Sequence, residues 1–286
     1  MAIKKILKLV WEEFIYGDHV LSLGALSIAL TSASLLNVRL TWDFLVIVYL
    51  GVYLVYLYNH YKEIPRDTQT NIERVKCLQK YSNKVPFLIF FCLFIILVLQ
   101  LFRGKTKSLL LSMFMISFGL LYTLFFKSLT KKIVGFKSFF VAFVWALIVL
   151  FLVVFYSKNI DVVFLLMFVF VFLRIFIGVT FSDIKDMDSD KKEELKTLPL
   201  VLGKEKTVFF LQFINILALI PIFLGFYLKL FPSFVISLSL TSLYAFYYLQ
   251  KSKNPKIDLS FLTHNIVYSE NLWWFIFILL GKIFIK

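Results

Sequence analysis

Long apolar runs alternate with short charged segments along the whole chain. Runs of roughly 17 to 22 apolar residues recur, each close to the ~20 helical residues needed to cross a bilayer's hydrocarbon. They predict transmembrane helices near 19–38, 41–58, 86–102, 108–127, 139–157, 162–182, 206–228, 231–249 and 269–285. Only helices or closed barrels satisfy their backbone groups in lipid, so about nine such runs predict an all-α polytopic membrane bundle. Residues 1–16 follow a different pattern. Ile3, Ile6, Leu7, Val10 and Phe14 fall at helical spacing, with Lys4, Lys5, Lys8, Glu12 and Glu13 between them. This predicts an interfacial amphipathic helix leading into the first span, not a cleavable signal.

Composition agrees with this division. The chain is 60% hydrophobic and 17% charged, with a mean hydropathy of +0.87, more apolar than a soluble core requires. Spans sharing one bilayer are read as a single domain over residues 1–286. The net charge of +14 comes with no interleaved basic–aromatic motif, and its lysines cluster between spans. Anionic lipid head groups and diphosphate, not nucleic acid, are therefore the expected partners. Of 31 lysines and arginines, 22 fall in segments 1–18, 59–85, 127–138, 183–206 and 250–268, and eight in the alternate segments. The positive-inside rule then predicts a cytoplasmic N-terminus in a multi-pass protein of the cell membrane. Cys77 and Cys92 suggest neither a disulfide framework nor a zinc site.

Candidate chemistry lies where spans end in acids. Asp183, Asp186 and Asp190 are spaced i, i+3 and i+7, which places them on one face of a continuing helix. Carboxylates gathered at a membrane-helix end repel one another without a counterion. Magnesium carrying a phosphate is one solution; a solvated acidic helix end mixed with Lys185, Lys191 and Lys192 is the plainer one. Asn59, Glu63 and Asp67 repeat the pattern at i, i+4 and i+8, at the end of the second span. Pro65 disfavours helix at Ile64, so a kink or break is expected between Glu63 and Asp67.

The segment DIKDMDSDKKEELKTLPLVLG, beginning at Asp183, resembles the second aspartate-rich motif of the UbiA-type intramembrane prenyltransferases. That motif is DxxDxxxD, followed within a few residues by KTLPV and a glycine. Asn59 to Asp67 is similar to the family's first motif, NDxxDxxxD, with Glu63 where an aspartate is usual and His60 replacing the aspartate after the asparagine. Asn71 and Arg74 resemble the asparagine and arginine that trail it. The resemblance implies a bundle of about nine helices around one central cavity that opens to the cytoplasm. In it, Asn59, Glu63, Asp67, Asp183, Asp186 and Asp190 would hold Mg2+. Asp67 and the three aspartates of the second motif would be catalytic, acting on a prenyl diphosphate. The implied acceptor is an aromatic ring or a glyceryl ether lipid.

A diphosphate also needs cations. Lys127, Lys131 and Lys132 follow the fourth span, near Tyr122 at its end, in the outline that the family shows there. Arg66 and Lys185 are further candidates, and His60 and Tyr122 are expected near the cavity. Arg174 lies deep in an apolar span, where a charge costs roughly 2.5–3.5 kcal/mol on insertion scales. It is expected to point into the cavity. The altered first motif keeps a second reading open: a member that binds polyprenyl lipids or assists a partner without catalysis.

Overall fold

The computed structural model describes residues 2–68 and 71–285, without the side chains of residues 2, 3, 5 and 66. Among the described residues the chain is entirely helical. The first half comprises α1 (Ala2–Tyr16), α2 (His19–Leu35), α3 (Trp42–Asp67), α4 (Ile72–Gln79), α5 (Val85–Arg103), α6 (Thr106–Leu121), α7 (Lys127–Thr130) and α8 (Phe136–Phe155). The second comprises α9 (Val162–Lys185), α10 (Met187–Lys192), α11 (Leu198–Leu202), α12 (Lys204–Leu217), α13 (Ile220–Tyr227), α14 (Leu240–Lys251), α15 (Leu259–Leu262) and α16 (Glu270–Phe284).

Seven helical stretches are long and apolar enough to cross a membrane, or eight when the bent pair α1–α2 counts as one span. The protein is a multi-pass membrane bundle. The predicted span 231–249 is the main difference in count. There a 3-10 segment, Ser233–Ser239, precedes the short α14. Pro232 removes a backbone donor at its start, and no 18-residue apolar helix forms across it. Pro65 also departs from expectation: α3 runs through it to Asp67. Pro65 cannot donate to the Tyr61 carbonyl, but it lies only two residues from the helix end, so a single hydrogen bond is lost there.

Helices α8 and α9 form the centre. In α8, 67% of the apolar stretch is buried, against 17% for the stretch that contains α6. Ala142, Ala146, Val149 and Val153 recur on one face of α8 and share a core with Met167, Phe170 and Val171 of α9. Helix α5 turns Phe87, Phe90, Phe94 and Leu101 outward, as a lipid-facing helix does. Helix α1 leaves Ile6, Leu7 and Val10 of the predicted apolar stripe exposed, together with Leu9 and Trp11. It meets α2 at 61° through Gly17 and Asp18. Ile3, the first residue of that predicted stripe, has a side chain outside the described residues.

Candidate functional site

The two acidic sets belong to different helices, α3 and α9, and both face one cavity. It has about 1380 Å3 of empty space counting its open mouth, and Asn59, Glu63, Asp67, Asp183 and Asp186 line it. Asp190, one turn further on, is buried but outside this lining; its amide donates to the Asp186 carbonyl at 2.9 Å. Among the described residues, no three His, Cys, Asp or Glu side chains converge closely enough to form a ready metal cluster. The repulsion expected of the acids is relieved by cations of the chain itself.

Each cation comes from a different element. Lys137 Nζ lies 2.6 Å from Asp183 Oδ1, and Ser138 donates to Asp183 Oδ2 at 3.1 Å. Lys185 bridges Asp186 and Asn71, at 2.6 Å each. Arg74 pairs with Asp67, whose other oxygen accepts from Asn71 at 3.0 Å. Lys127 lies 3.4 Å from Glu63 and 2.8 Å from Glu193. Burial alone would push the Asp67 carboxyl up, but Arg74 and then Asn71 outweigh it and hold it below its usual value. Burial acts likewise on Asp186, and Lys185, then Lys137, bring it down to about 2.

The segment after the second motif explains how Lys137 arrives. The backbone of Lys196, in the KTLP stretch, donates to Thr130 O at 2.8 Å and accepts from Gly135 N at 2.9 Å. Gly135 has φ +69°, and a Cβ there would sit 3.1 Å from Leu198. A residue with a side chain would be strained and crowded at that turn. The strut fixes the turn that starts α8, and Lys137 and Ser138 follow it directly. On the adjoining wall, Tyr122–Phe126 forms one π-helical turn. Tyr122, Thr123 and Lys127 all line the cavity. Thr123 donates to Asn59 Oδ1 at 2.6 Å, and Asn59 donates to Gly119 O at 3.4 Å. A Cβ at Gly119 would meet Val55 at 2.7 Å, so a glycine lets α6 approach α3 here.

The other predicted residues are placed as follows. Lys131 and Lys132 are exposed and outside the lining; Lys131 lies 3.9 Å from Glu194. The Arg66 side chain lies outside the described residues. Arg174 reaches the cavity wall, but its guanidinium is committed to the bundle. It donates to Glu270 at 3.0 Å and to Thr241 O at 2.8 Å, and also to Asn215. Glu270 in turn accepts from Tyr248 at 3.0 Å. His60 lines the cavity with both ring nitrogens engaged, Nδ1 with Asp18 and Nε2 with Arg74. Lys137 and Ser138 were not singled out from the sequence. The available signal was a lysine opening an otherwise apolar span.

The comparisons with known proteins agree with this architecture. The model of the UbiA prenyltransferase family matches residues 20–279. This chain belongs to the UbiA prenyltransferase family. Family chemistry is prenyl transfer, and solved UbiA structures share the fold. The apo UbiA homologue from Aeropyrum pernix K1 superposes with a TM-score of 0.69 at 16% identity, covering 92% of this chain and 96% of its own. A digeranylgeranylglyceryl phosphate synthase gives 0.61 at 23% identity, with 96% and 98% covered. A homologue from Archaeoglobus fulgidus, bound to DMAPP and Mg2+, gives 0.64 at 14% identity, with 96% of each chain covered. No curated protein sequence matches this UbiA-family chain.

Magnesium asks for hard oxygen donors in near-octahedral array and keeps several waters. The second motif fits that demand. Asp183 and Asp186 offer carboxylates to the cavity, and their partners are lysines, flexible point charges that can move to an incoming anion. The first motif does not fit. His60 supplies no oxygen, and Asp67 is already paired with the buried Arg74 guanidinium.

Proposed function

We propose that this protein transfers a prenyl group from a prenyl diphosphate to an acceptor within the membrane. The observation that carries the reading is the convergence of acids from α3 and α9 with the basic Arg74, Lys127 and Lys137 on one cavity wall. The basic groups bind the diphosphate and stabilise the charge that develops as it leaves. Asp183 and Asp186 would hold Mg2+, and the Asp190 amide, one turn on, bonds the Asp186 carbonyl. When bound, the ion supplies Lewis-acid stabilisation of the departing diphosphate. Asn59 and Tyr122 shape the wall against which the head group is oriented.

A second cavity of about 610 Å3, again counting its mouth, extends between α3, α6 and α8. Its lining is almost wholly apolar, including Ile47, Val52, Met115 and Ile148, and it shares Val55, Tyr56, Val144 and Trp145 with the first. Trp145 donates to the Tyr56 hydroxyl at 2.9 Å where the two adjoin. The isoprenoid tail is assigned to this chamber by its apolar lining, which also keeps water from an allylic cation. The acceptor is an aromatic ring or a glyceryl ether lipid. The positive-charge bias supports a cytoplasmic N-terminus and a cavity opening to the cytoplasm.

The test supplies geranylgeranyl or farnesyl diphosphate, magnesium and a panel of such acceptors, and measures diphosphate release by wild type and Asp183→Asn. Release that falls at least a hundredfold in the variant is expected. A wild type that binds the donors but releases nothing with any acceptor favours the second reading, a lipid-binding or assisting member. That reading draws on the engagement of both His60 nitrogens.

A further inference from the structure

The first motif of this chain has a cation built into it. His60 stands where the family motif has an acid, and its surroundings are those of a brace. Asp18 ends the turn between α1 and α2 with φ +65°, a left-handed conformation that aspartate tolerates better than most side chains. That turn carries its buried carboxylate to His60 Nδ1, at 2.9 Å. On the other side of the ring, His60 Nε2 accepts from Arg74 Nη1 at 2.9 Å. The bonds specify the tautomer with the proton on Nδ1, donated to Asp18. Arg74 is thus held between His60 and Asp67, while its Nε–H is buried without a partner. The guanidinium lines the cavity and retains donor capacity for an anion.

We propose that Arg74, positioned by the Asp18–His60 pair, takes the place of a metal ion at the first-motif end of the cavity, so that a bound prenyl diphosphate carries one divalent cation, at the second motif. The inference rests on the diphosphate reading above. It follows from charge and donor type. The family motif is also trailed by an arginine; what differs here is His60, a ring with no free nitrogen where the family has an acid, which fixes that guanidinium against Asp67. A diphosphate oxygen placed there meets that guanidinium instead. Asp18 and His60 do not touch the diphosphate; they are positioning residues.

The experiment counts Mn2+ by electron paramagnetic resonance on the full chain in detergent, with geranyl S-thiolodiphosphate bound. One manganese per bound analogue is expected, and two would overturn the inference while leaving the diphosphate reading intact. Failure of the analogue to bind wild type would remove the diphosphate reading, and this inference with it. Three variants test the brace by analogue affinity. Asp18→Asn is expected to weaken binding about tenfold with the manganese count unchanged. His60→Gln, which keeps an acceptor for Arg74, is expected to retain more affinity than His60→Ala. Equal losses in the two His60 variants, or full affinity in Asp18→Asn, would show that the pair only packs.

Discussion

Lys137→Met tests whether the chain's own cations hold the acidic cavity together. The ammonium lies 2.6 Å from Asp183 Oδ1, and the Asp183 side chain has no exposure. At an effective dielectric of 20, two unit charges at that separation attract by about 6 kcal/mol. The cost of desolvating both ions cancels part of this. Removing one partner, however, leaves a buried charge uncompensated, which typically costs about 3–5 kcal/mol. Membrane or soluble, a domain with a total stability of about 5–15 kcal/mol feels a loss of that size. The assay is reversible unfolding in mixed micelles, followed by tryptophan fluorescence, for Lys137→Met, Asp183→Asn and the double variant. The double variant should recover much of the loss, with a coupling of about 1–3 kcal/mol. A single-variant cost below about 1 kcal/mol with no coupling would refute the pairing. The lysine variant should also bind a prenyl S-thiolodiphosphate at least tenfold more weakly, because the diphosphate loses a cation while Asp183 remains.

The acid side of the pH range should expose the paired carboxylates. Asp186 is brought from its ordinary 3.8 to about 2, because Lys185 and Lys137 outweigh burial, and Asp67 is also lowered. A depressed pKa stabilises the fold above the unfolded value and stops doing so as pH falls through the folded one. The contribution of these two carboxylates to unfolding free energy should therefore be constant above about pH 5 and fall between about pH 4 and 2, with Asp186 accounting for about 2 kcal/mol; the difference between wild type and Asp186→Asn should show that fall. Arg174→Leu should destabilise by about 3–5 kcal/mol by stranding Glu270, and Arg174→Leu/Glu270→Leu should restore most of it in the same assay. Gly51 faces the second cavity, and a Cβ there would have no neighbour within 4 Å. Gly51→Phe should fill the chamber and weaken a 20-carbon S-thiolodiphosphate at least tenfold more than a 10-carbon one; equal effects on both would place the tail elsewhere.

The spans were legible because hydrocarbon demands long, uninterrupted apolar helices, and Phe136–Phe155 and Val162–Lys185 announce themselves that way. The polar span ends were legible too, since Asn59, Glu63 and Asp67 line one cavity with Asp183 and Asp186, though Asp190 lies outside its lining. Where a span consists of a short helix beside a 3-10 segment, as at Ser233–Lys251, hydropathy alone overstates the helix. Pro65 misled in the opposite direction, because the single hydrogen bond it removes, to the Tyr61 carbonyl, is cheap to lose so close to a helix end.

The amino-acid order by itself therefore determined a helical membrane bundle with acidic span ends, through hydropathy and the 3.6-residue period, both of which act locally. The choice of cation for each acid was made only by the tertiary structure. Lys137 meets Asp183 across two central helices, Asp18 meets His60 across the α1–α2 bend, and Arg174 meets Glu270 across the bundle. Lys131 and Lys132, as basic and nearly adjacent to Lys127, point away from the cavity. Charge pairing depends on distance and burial in three dimensions, and neither quantity is encoded by spacing along a single helix.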